Sequence, residues 1–315
     1  MKKVSIITVN YNQPDLTEML LDSIFNTNTY FALEIIVVDN GSLIDPLPQW
    51  KRKYPAVNFI ASEKNLGFAG GNNLGIKEAT GDYYFFVNND TEFTENLVDI
   101  LAATLDDHPE VGIVSPKIRY YAQPFTLQYA GFTRMNYFTG RNTCIGQFEK
   151  DNGQYDKLTG ETGYPHGAAM MVRKESLKKV GPMPELYFLY YEEMDWCEQI
   201  RRAGYTTWVN MQALIYHKES MSVGRESPLK EYFMNRNRIL FIRRNCSFQV
   251  RLVFWPYFLF FVATRNTVNY IKKRQWGFIT ILFRAIIWNL VNSDNSTNLG
   301  YKVPESKNDK VKVYK

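Results

Sequence analysis

The sequence predicts an α/β protein built on a mostly parallel sheet with helices covering both faces. Three observations carry this. Strand-length apolar runs alternate with stretches of helical spacing through the first half of the 315-residue chain. Those runs are apolar at consecutive positions, the pattern of strands buried on both faces. Each run also stops at a cluster of Asn, Asp or Gly, on the carboxyl edge where open α/β sheets take their ligands.

The elements follow in order. Val4–Val9 is a β-branched strand that ends at Asn10-Tyr11-Asn12. Pro14 and Asp15 then open a helix whose apolar positions Leu16, Met19, Leu20 and Ile24 keep helical spacing. A second strand, Glu34–Val38, stops at Asp39-Asn40-Gly41-Ser42, and a third, Val57–Ile60, precedes a Gly/Asn-rich turn and a short helix over Asn72–Ala79. A fourth, Tyr83–Val87, ends at Asn88-Asn89-Asp90, with a helix over Glu95–Leu105 behind it. Residues 111–165 are harder to read, with short strands, many aromatics and Gly-rich turns. Beyond them, Gly167–Val172 reads as another buried strand and Glu193–Ala203 as a helix closed by Gly204. Thr207–Val209 and Leu214–Tyr216 are two further strands, the second delivering His217. After Pro228, Leu229–Arg244 reads as a basic helix and Phe248–Val262 as an aromatic, apolar segment.

Composition excludes a disordered chain, because aromatic residues alone make up 15% of the sequence. The net charge of +5 averages two unlike regions. Residues 1–224 carry 20 Lys/Arg against 27 Asp/Glu, a net of −7, whereas residues 225–315 carry 17 against 5, a net of +12. An anionic membrane surface and nucleic acid are the two partners such a basic region calls for. Cys144, Cys197 and Cys246 lie far apart without C-x-x-C spacing, which speaks against a disulfide framework or thiolate metal site. The apolar run after Lys2-Lys3 is too short for a signal peptide, so a cytoplasmic protein is expected.

Several constellations can do chemistry. In Asn88-Asn89-Asp90 a carboxamide and a carboxylate two residues apart can present hard oxygens to Mg²⁺ or Mn²⁺; the bland reading is a polar turn. Its place beside three other polar strand ends favours the cation. His217, at a strand end, pairs with Asp90 as a further ligand. Glu192-Glu193-Met194-Asp195 puts three carboxylates in one helical turn, more than the helix dipole needs, and one of them can act as a general base. His166 precedes the Gly167 strand and can line a pocket. Asn65–Asn73 is a Gly-rich turn that lets backbone approach a ligand, without a dinucleotide fingerprint or Walker lysine.

Taken together, Ser5–Asn12, Glu34–Ser42, Glu63–Asn73, Gly81–Thr91, Gly167–Arg173 and Tyr190–Tyr205 resemble glycosyltransferase family 2 over about the first 220 residues. The likeness is to rhamnosyltransferase-like bacterial members. It implies a GT-A fold, Rossmann-like with a mostly parallel sheet, and inverting transfer from a nucleoside-diphosphate sugar. It places Thr8, Asn10, Asn12, Asp39, Asn65, Gly67, Asn88 and Asn89 on the nucleotide side. Asn88-Asn89-Asp90 resembles the family's D-x-D motif, with Asn in the first place, so Mg²⁺ or Mn²⁺ falls to Asp90 and His217. Tyr191–Trp196 resembles the acidic motif carrying the catalytic base, which falls on Glu193, with Asp195 as the alternative. His166, Gly167 and Trp196 are expected on the acceptor side. The resemblance points to dTDP-L-rhamnose as first donor and a lipid-linked or polysaccharide acceptor in cell-surface glycan synthesis.

The chain thus divides into a catalytic domain over 1–224, a basic, aromatic helical region over 225–300 and a loose tail over 301–315. Leu252–Ala263, flanked by Arg251 and Arg265, is far short of the roughly 20 residues that span a bilayer. It reads as an interfacial element holding the protein peripherally on the inner face of the cell membrane, with basic side chains on anionic lipid. Arg236 and Arg238 read as part of a solvated basic helix face, or as contacts to a diphosphate. Two other functions fit less well. A sugar nucleotidyltransferase would need a Gly-rich basic signature after the first strand, and a nucleic-acid binder would need a recognised module; no nucleic-acid partner is expected.

Overall fold

The computed structural model describes residues 2–219 and 227–303. The boundary expected at residue 224 and most of the expected tail lie outside the described residues. The elements run β1 (Val4–Asn10), α1 (Pro14–Thr27), β2 (Leu33–Asp39), α2 (Leu47–Lys53), β3 (Asn58–Ala61), α3 (Gly67–Glu78), β4 (Tyr83–Val87), β5 (Thr91–Phe93) and α4 (Leu97–Asp107). There follow β6 (Val111–Tyr120), β7 (Gln123–Tyr129), β8 (Thr159–Glu161), β9 (Ala169–Arg173), α5 (Lys174–Val180), α6 (Glu192–Arg202) and β10 (Thr206–His217). The chain closes with α7 (Pro228–Asn245), α8 (Phe248–Tyr257), a π-helical segment Phe258–Ala263, α9 (Thr264–Lys272) and α10 (Trp276–Val291).

One sheet organises the molecule, in the order β3-β2-β1-β4-β9-β6-β10-β5, with β7 on β6 and β8 on β10. Strands β3, β2, β1 and β4 are parallel, as are β6 and β10, while β9 enters antiparallel between β4 and β6. The consecutive apolar positions behave as expected. Ile6, Val37 and Phe85 enter the core on one face, and Ile7, Ile36 and Phe86 the core on the other.

Three sequence expectations needed correction. Helix α3 starts at Gly67 rather than Asn72. Its glycines seat the helix on β1 instead of breaking it: a Cβ on Gly75 would lie 2.4 Å from the Ile7 side chain. The two strands expected near 207 and 214 are one strand, β10, with a register shift between Asn210 and Leu214. The short strands read in residues 111–165 are β6, β7 and β8.

The third correction concerns the basic helix. Side chains of α7 join the same core as Trp196 and Phe86, with Ile239, Leu240, Phe241 and Ile242 all buried. Burial of such residues is worth about 2 kcal/mol each. Its arginines turn inward as well. Arg236 is 0% exposed, its guanidinium 4.0 Å from the centre of the Trp288 ring and donating to the Leu186 carbonyl at 2.9 Å. Arg243 donates to the Asn292 carbonyl and Arg244 to that of Asp294, both at 2.9 Å. No solvated basic face runs along α7. The extension exposes large apolar side chains instead, carried by α8, the π-helical segment, α9 and α10; Phe260 and Phe261 are 73% and 68% exposed. Pro256 lies inside α8 and supplies no N–H to the ladder, and the widened π turns follow directly. Among the described residues, no helix is long and apolar enough to cross a membrane.

Candidate active site

The strand ends gather on the carboxyl edge of the sheet. Asn10 Nδ2 donates to Asp39 Oδ1 at 2.7 Å, and its Oδ1 accepts from Thr17 Oγ1 at 3.0 Å. Asn89 Nδ2 donates to Thr17 Oγ1 at 3.1 Å, and Ser42 Oγ donates to Asp39 Oδ1 at 2.5 Å. Three strand ends are thereby tied into one buried polar network. Asn12, at φ 56°, accepts from the Leu43 N–H at 2.7 Å and so joins the first and second strand-end loops. Thr8 Oγ1 is buried without a partner in this network.

Asn40 clamps the Gly-rich turn, donating to Asn65 Oδ1 at 3.1 Å and to the Gly67 carbonyl at 3.0 Å. Gly67 is required there: its φ is +75°, and a Cβ would fall 2.1 Å from the Phe188 carbonyl oxygen. These groups border a cleft of about 440 Å³ lined by Tyr11, Asn40, Asn65, Gly67, Asn88, Asn89, Asp90 and Tyr190 among others.

Strand β10 brings His217 beside Asp90, because its antiparallel register on β5 sets His217 opposite Thr91. His217 Nε2 lies 3.1 Å from Asp90 Oδ1, yet neither atom makes a hydrogen bond, and Asp90 Oδ2 also lacks a partner. The other ring nitrogen, Nδ1, faces Gln128 Oε1 at 2.8 Å and donates to it. Buried Nε2 and both Asp90 carboxylate oxygens are thus left for a shared cation to satisfy. A separation of about 3 Å is that of adjacent ligands on a cation with bonds near 2.1 Å. The Gln128 contact is the outer-shell bond a metal-binding histidine ordinarily makes. Asp90 and His217 therefore fit a divalent cation. They do not form a full cage: among the described residues, no group of three or more His, Cys, Asp or Glu is gathered. Such a half-site suits Mg²⁺ or Mn²⁺, which take remaining ligands from water and phosphate.

His166 connects this pair to the acidic helix. Its ring lies 6.1 Å from that of His217, and its Nδ1 accepts from the Ala168 N–H at 3.1 Å, which leaves the proton on Nε2. Burial, then the neighbouring His217, push its pKa down to about 3, so the ring is neutral. The Glu193 carboxylate sits against Gly167, where a Cβ would meet its Cδ at 3.8 Å. Asp90, His217, His166, Gly167 and Glu193 thus form one continuous neighbourhood.

The three carboxylates of α6 have different surroundings. Glu192 is 3% exposed, and burial, with Glu193 beside it, raises its pKa well above the ordinary value. Burial raises Glu193 too, opposed by its own and Met194's backbone N–H groups. Asp195 is fully engaged elsewhere, accepting from Gln199 Nε2 at 3.0 Å, Asn245 Nδ2 at 2.5 Å and Arg244 Nε at 3.3 Å. Trp196, expected on the acceptor side, is a core residue that donates to the Gly181 carbonyl and packs edge-on against Phe86.

Sequence reasoning missed Gln128 and Asn237. The last belongs to α7, and its Nδ2 lies 3.0, 2.8 and 2.8 Å from the carbonyls of Tyr187, Leu189 and Tyr190. It holds a segment in which Phe188, Tyr190 and Tyr191 all have positive φ, of 65°, 70° and 76°. The only outward sign was alternation of Asn and Arg in Asn235–Arg238.

The sequence profile of glycosyl transferase family 2 matches residues 5–181. The chain belongs to this family. The low-salt glycan biosynthesis hexosyltransferase Agl10 of Haloferax volcanii is 28% identical over 245 residues, covering 75% of this chain and 74% of the relative. The N-acetylglucosaminyl-diphospho-decaprenol L-rhamnosyltransferase of Mycobacterium tuberculosis is 24% identical over 243 residues, covering 70% and 78%. Among solved structures, the mannosyltransferase PcManGT from Pyrobaculum calidifontis, in complex with GDP-Man and Mn²⁺, superposes with a TM-score of 0.57 at 17% identity, covering 92% of this chain and 87% of that one. TarS 1–349 of S. aureus with UDP-GlcNAc gives 0.57 at 19% identity, covering 91% and 81%. The fold is GT-A with a helical C-terminal region, and this family 2 chain is a glycosyltransferase.

Proposed function

We propose that this protein transfers a sugar, with inversion, from a nucleoside-diphosphate sugar to a hydroxyl of a lipid-linked glycan acceptor at a membrane surface. The observation that carries the proposal is the Asp90–His217 pair, joined through His166 and Gly167 to Glu193 beside a cleft bordered by the strand ends. Asp39, Asn10, Asn12, Asn65 and Gly67 form the nucleotide end, with Thr8 Oγ1 still open to a partner.

Glu193 serves as base. Asp195 is engaged by Arg244 and Asn245, and Glu192 is buried with its pKa raised well above the ordinary value by burial and by Glu193 beside it. The acceptor hydroxyl gives its proton to the Glu193 carboxylate. Its oxygen forms the new bond to the anomeric carbon on the face opposite the diphosphate, and the bond from that carbon to the diphosphate oxygen breaks. One carboxylate suffices because diphosphate needs no acid to leave, unlike the alcohol released in glycoside hydrolysis. Mg²⁺ or Mn²⁺ held by Asp90 and His217 would supply the positive charge that the leaving diphosphate requires. Neutral His166, stacked with Phe132, adds no competing charge beside it.

The membrane part rests on the apolar face of the C-terminal helices, rimmed by exposed Arg265, Lys272, Lys273 and Arg274. Aromatic and aliphatic side chains inside a basic rim match a bilayer interface carrying anionic lipid. The inward-turned arginines of α7 weigh against a nucleic-acid surface there. A panel of nucleoside-diphosphate sugars, opened with dTDP-L-rhamnose and scored for release of nucleoside diphosphate with Mn²⁺ and Mg²⁺, tests the reading. Release from one donor, increased by a lipid-diphosphate-linked acceptor, is expected. Nucleoside triphosphate consumption with sugar phosphate would make it a nucleotidyltransferase instead.

A further inference from the structure

A second cavity of about 440 Å³ lies on the other side of the segment that carries Tyr190 and Tyr191. It is walled by α7, α9 and the turn into α10. Tyr190 lines the donor cleft, Tyr191 lines this cavity, and Ser227 borders both. Glu193 stands two residues beyond Tyr191, in the first turn of α6. The two cavities therefore flank the N-terminus of the helix that carries the base.

Its chemistry is cationic. Among the described residues lining it, Lys230, Arg238 and Lys273 face one carboxylate, Glu231. That carboxylate is already engaged, because Glu231 Oε1 accepts from Tyr270 Oη and from Asn235 Nδ2. Arg238 donates from Nη2 to the Thr139 carbonyl, while its Nε is buried without a hydrogen bond. The N-terminus of the 18-residue α7 opens onto the same space, with Ser227 Oγ accepting from the Lys230 N–H at 3.1 Å, so the helix dipole adds to the positive potential. Part of the wall is apolar, from Met234 and Phe278, and α9 and the start of α10 expose Val268, Ile271 and Trp276 to solvent. A cavity of this volume takes a drug-sized ligand.

We propose that this cavity binds the phosphate or diphosphate through which the acceptor sugar is attached to its lipid, with the hydrocarbon leaving over Met234 and Phe278 toward the exposed apolar helices. This rests on the lipid-linked acceptor proposed above and assigns it a site. The acceptor's anion is held on one side of the Tyr190–Tyr191 wall, the donor's diphosphate lies on the other, and the acceptor hydroxyl meets Glu193 between them. Two anionic groups are kept apart by protein, and the cationic lining falls to the acceptor.

The test is calorimetric titration of the full chain with farnesyl diphosphate, inorganic diphosphate and farnesol, repeated on the Lys230→Glu/Lys273→Glu double variant. Farnesyl diphosphate is expected to bind the native chain and to lose at least tenfold in affinity in the double variant, with farnesol and inorganic diphosphate binding more weakly. Unchanged release of nucleoside diphosphate from the donor by the double variant, in the absence of acceptor, checks that its fold and donor cleft are intact. The proposal is overturned by equal affinity for farnesyl diphosphate in both proteins, or by farnesol binding as tightly as the diphosphate. It is overturned also if inorganic diphosphate binds as well as the lipid, which makes the site one for a free anion. Absence of turnover on every donor, with lysine-dependent farnesyl diphosphate binding intact, would remove the transfer reading and leave this site standing; the reverse pair of results would remove the site alone.

Discussion

Asn237 offers the sharpest test of how the helical extension serves the reaction. Its amide nitrogen carries two N–H groups and faces the carbonyls of Tyr187, Leu189 and Tyr190. Asn237→Ala removes the equivalent of two buried hydrogen bonds, about 1–1.5 kcal/mol each. What those bonds oppose is backbone strain, since Phe188, Tyr190 and Tyr191 are non-glycine residues with positive φ. At roughly 1 kcal/mol apiece, the strain comes to about 3 kcal/mol, close to what the tether supplies. The Phe68 N–H to the Phe188 carbonyl, at 2.8 Å, and Arg236 to the Leu186 carbonyl remain as partial restraints. The segment then keeps its native shape for a minor share of the time. At about 1.4 kcal/mol per tenfold, kcat/KM falls on the order of ten- to a hundredfold. Asn237→Asp should be worse, because a carboxylate brings three carbonyl oxygens no donor. The assay is steady-state transfer at 25 °C with both donor and acceptor varied, alongside circular dichroism to confirm that each variant is folded. Native-like kcat/KM in Asn237→Ala, or equal activity of the Ala and Asp variants, would refute the tether.

The remaining predictions are direct. Glu193→Gln should lose about 10²–10⁴-fold in transfer while nucleotide binding survives, whereas Glu192→Gln keeps turnover within tenfold; equal losses would undo the division between them. Because the Glu193 pKa is raised above the ordinary 4.5 and the base must be ionised, kcat should fall as pH drops through a value above 4.5; a pH–rate limb at or below 4.5 contradicts this. Glu192 holds its proton more tightly folded than unfolded, so it subtracts stability as pH rises from 4.5 toward its raised pKa. Glu192→Gln should therefore raise Tm at neutral pH and leave it unchanged near pH 4. Chelation by EDTA should abolish native turnover with Mn²⁺ restoring it, and Asp90→Asn should need far more Mn²⁺; full activity in excess EDTA would remove Asp90 and His217 from cation binding. Phe260→Ser/Phe261→Ser should release the chain from anionic vesicles in flotation without altering turnover on a soluble acceptor, and undiminished flotation would relocate the membrane contact.

Legibility in the sequence varied for physical reasons. Strands β1, β2 and β4 were plain because neighbouring residues such as Ile6 and Ile7 face opposite cores, which puts apolar side chains at consecutive positions. The bounds of β6 were hard to read because it carries Pro116 and a buried Lys117, which is paired at 3.0 Å with Asp151, a residue 34 positions later. No local pattern announces such a partner. Strand β10 read as two pieces because its register shift breaks the period at Asn210–Leu214. In the site, Asp90, His217 and Glu193 were visible as chemistry-bearing residue types at element ends. Gln128 was not, because its role exists only once β7 lies beside β6 and β10 carries His217 across from it.

The charge division takes on a different meaning once α7 is seen in place. A net of +12 beyond residue 224 first reads as a surface that attracts anions from outside. Yet Arg236 binds the Leu186 carbonyl, Arg238 that of Thr139, and Arg244 the Asp195 carboxylate, so part of that charge fastens the extension to the loops and helix beside the sheet. Arginine suits this use, since one planar group reaches several carbonyls and stacks on a ring, as Arg236 does on Trp288. Asn237 extends the same fastening to the segment before Glu193. One side of the extension therefore shapes the site where the base stands, and its opposite side presents Phe260, Phe261 and their apolar neighbours. An extension built this way connects the proposed membrane contact to the active site through a shared core, with no flexible linker needed to carry the acceptor between them.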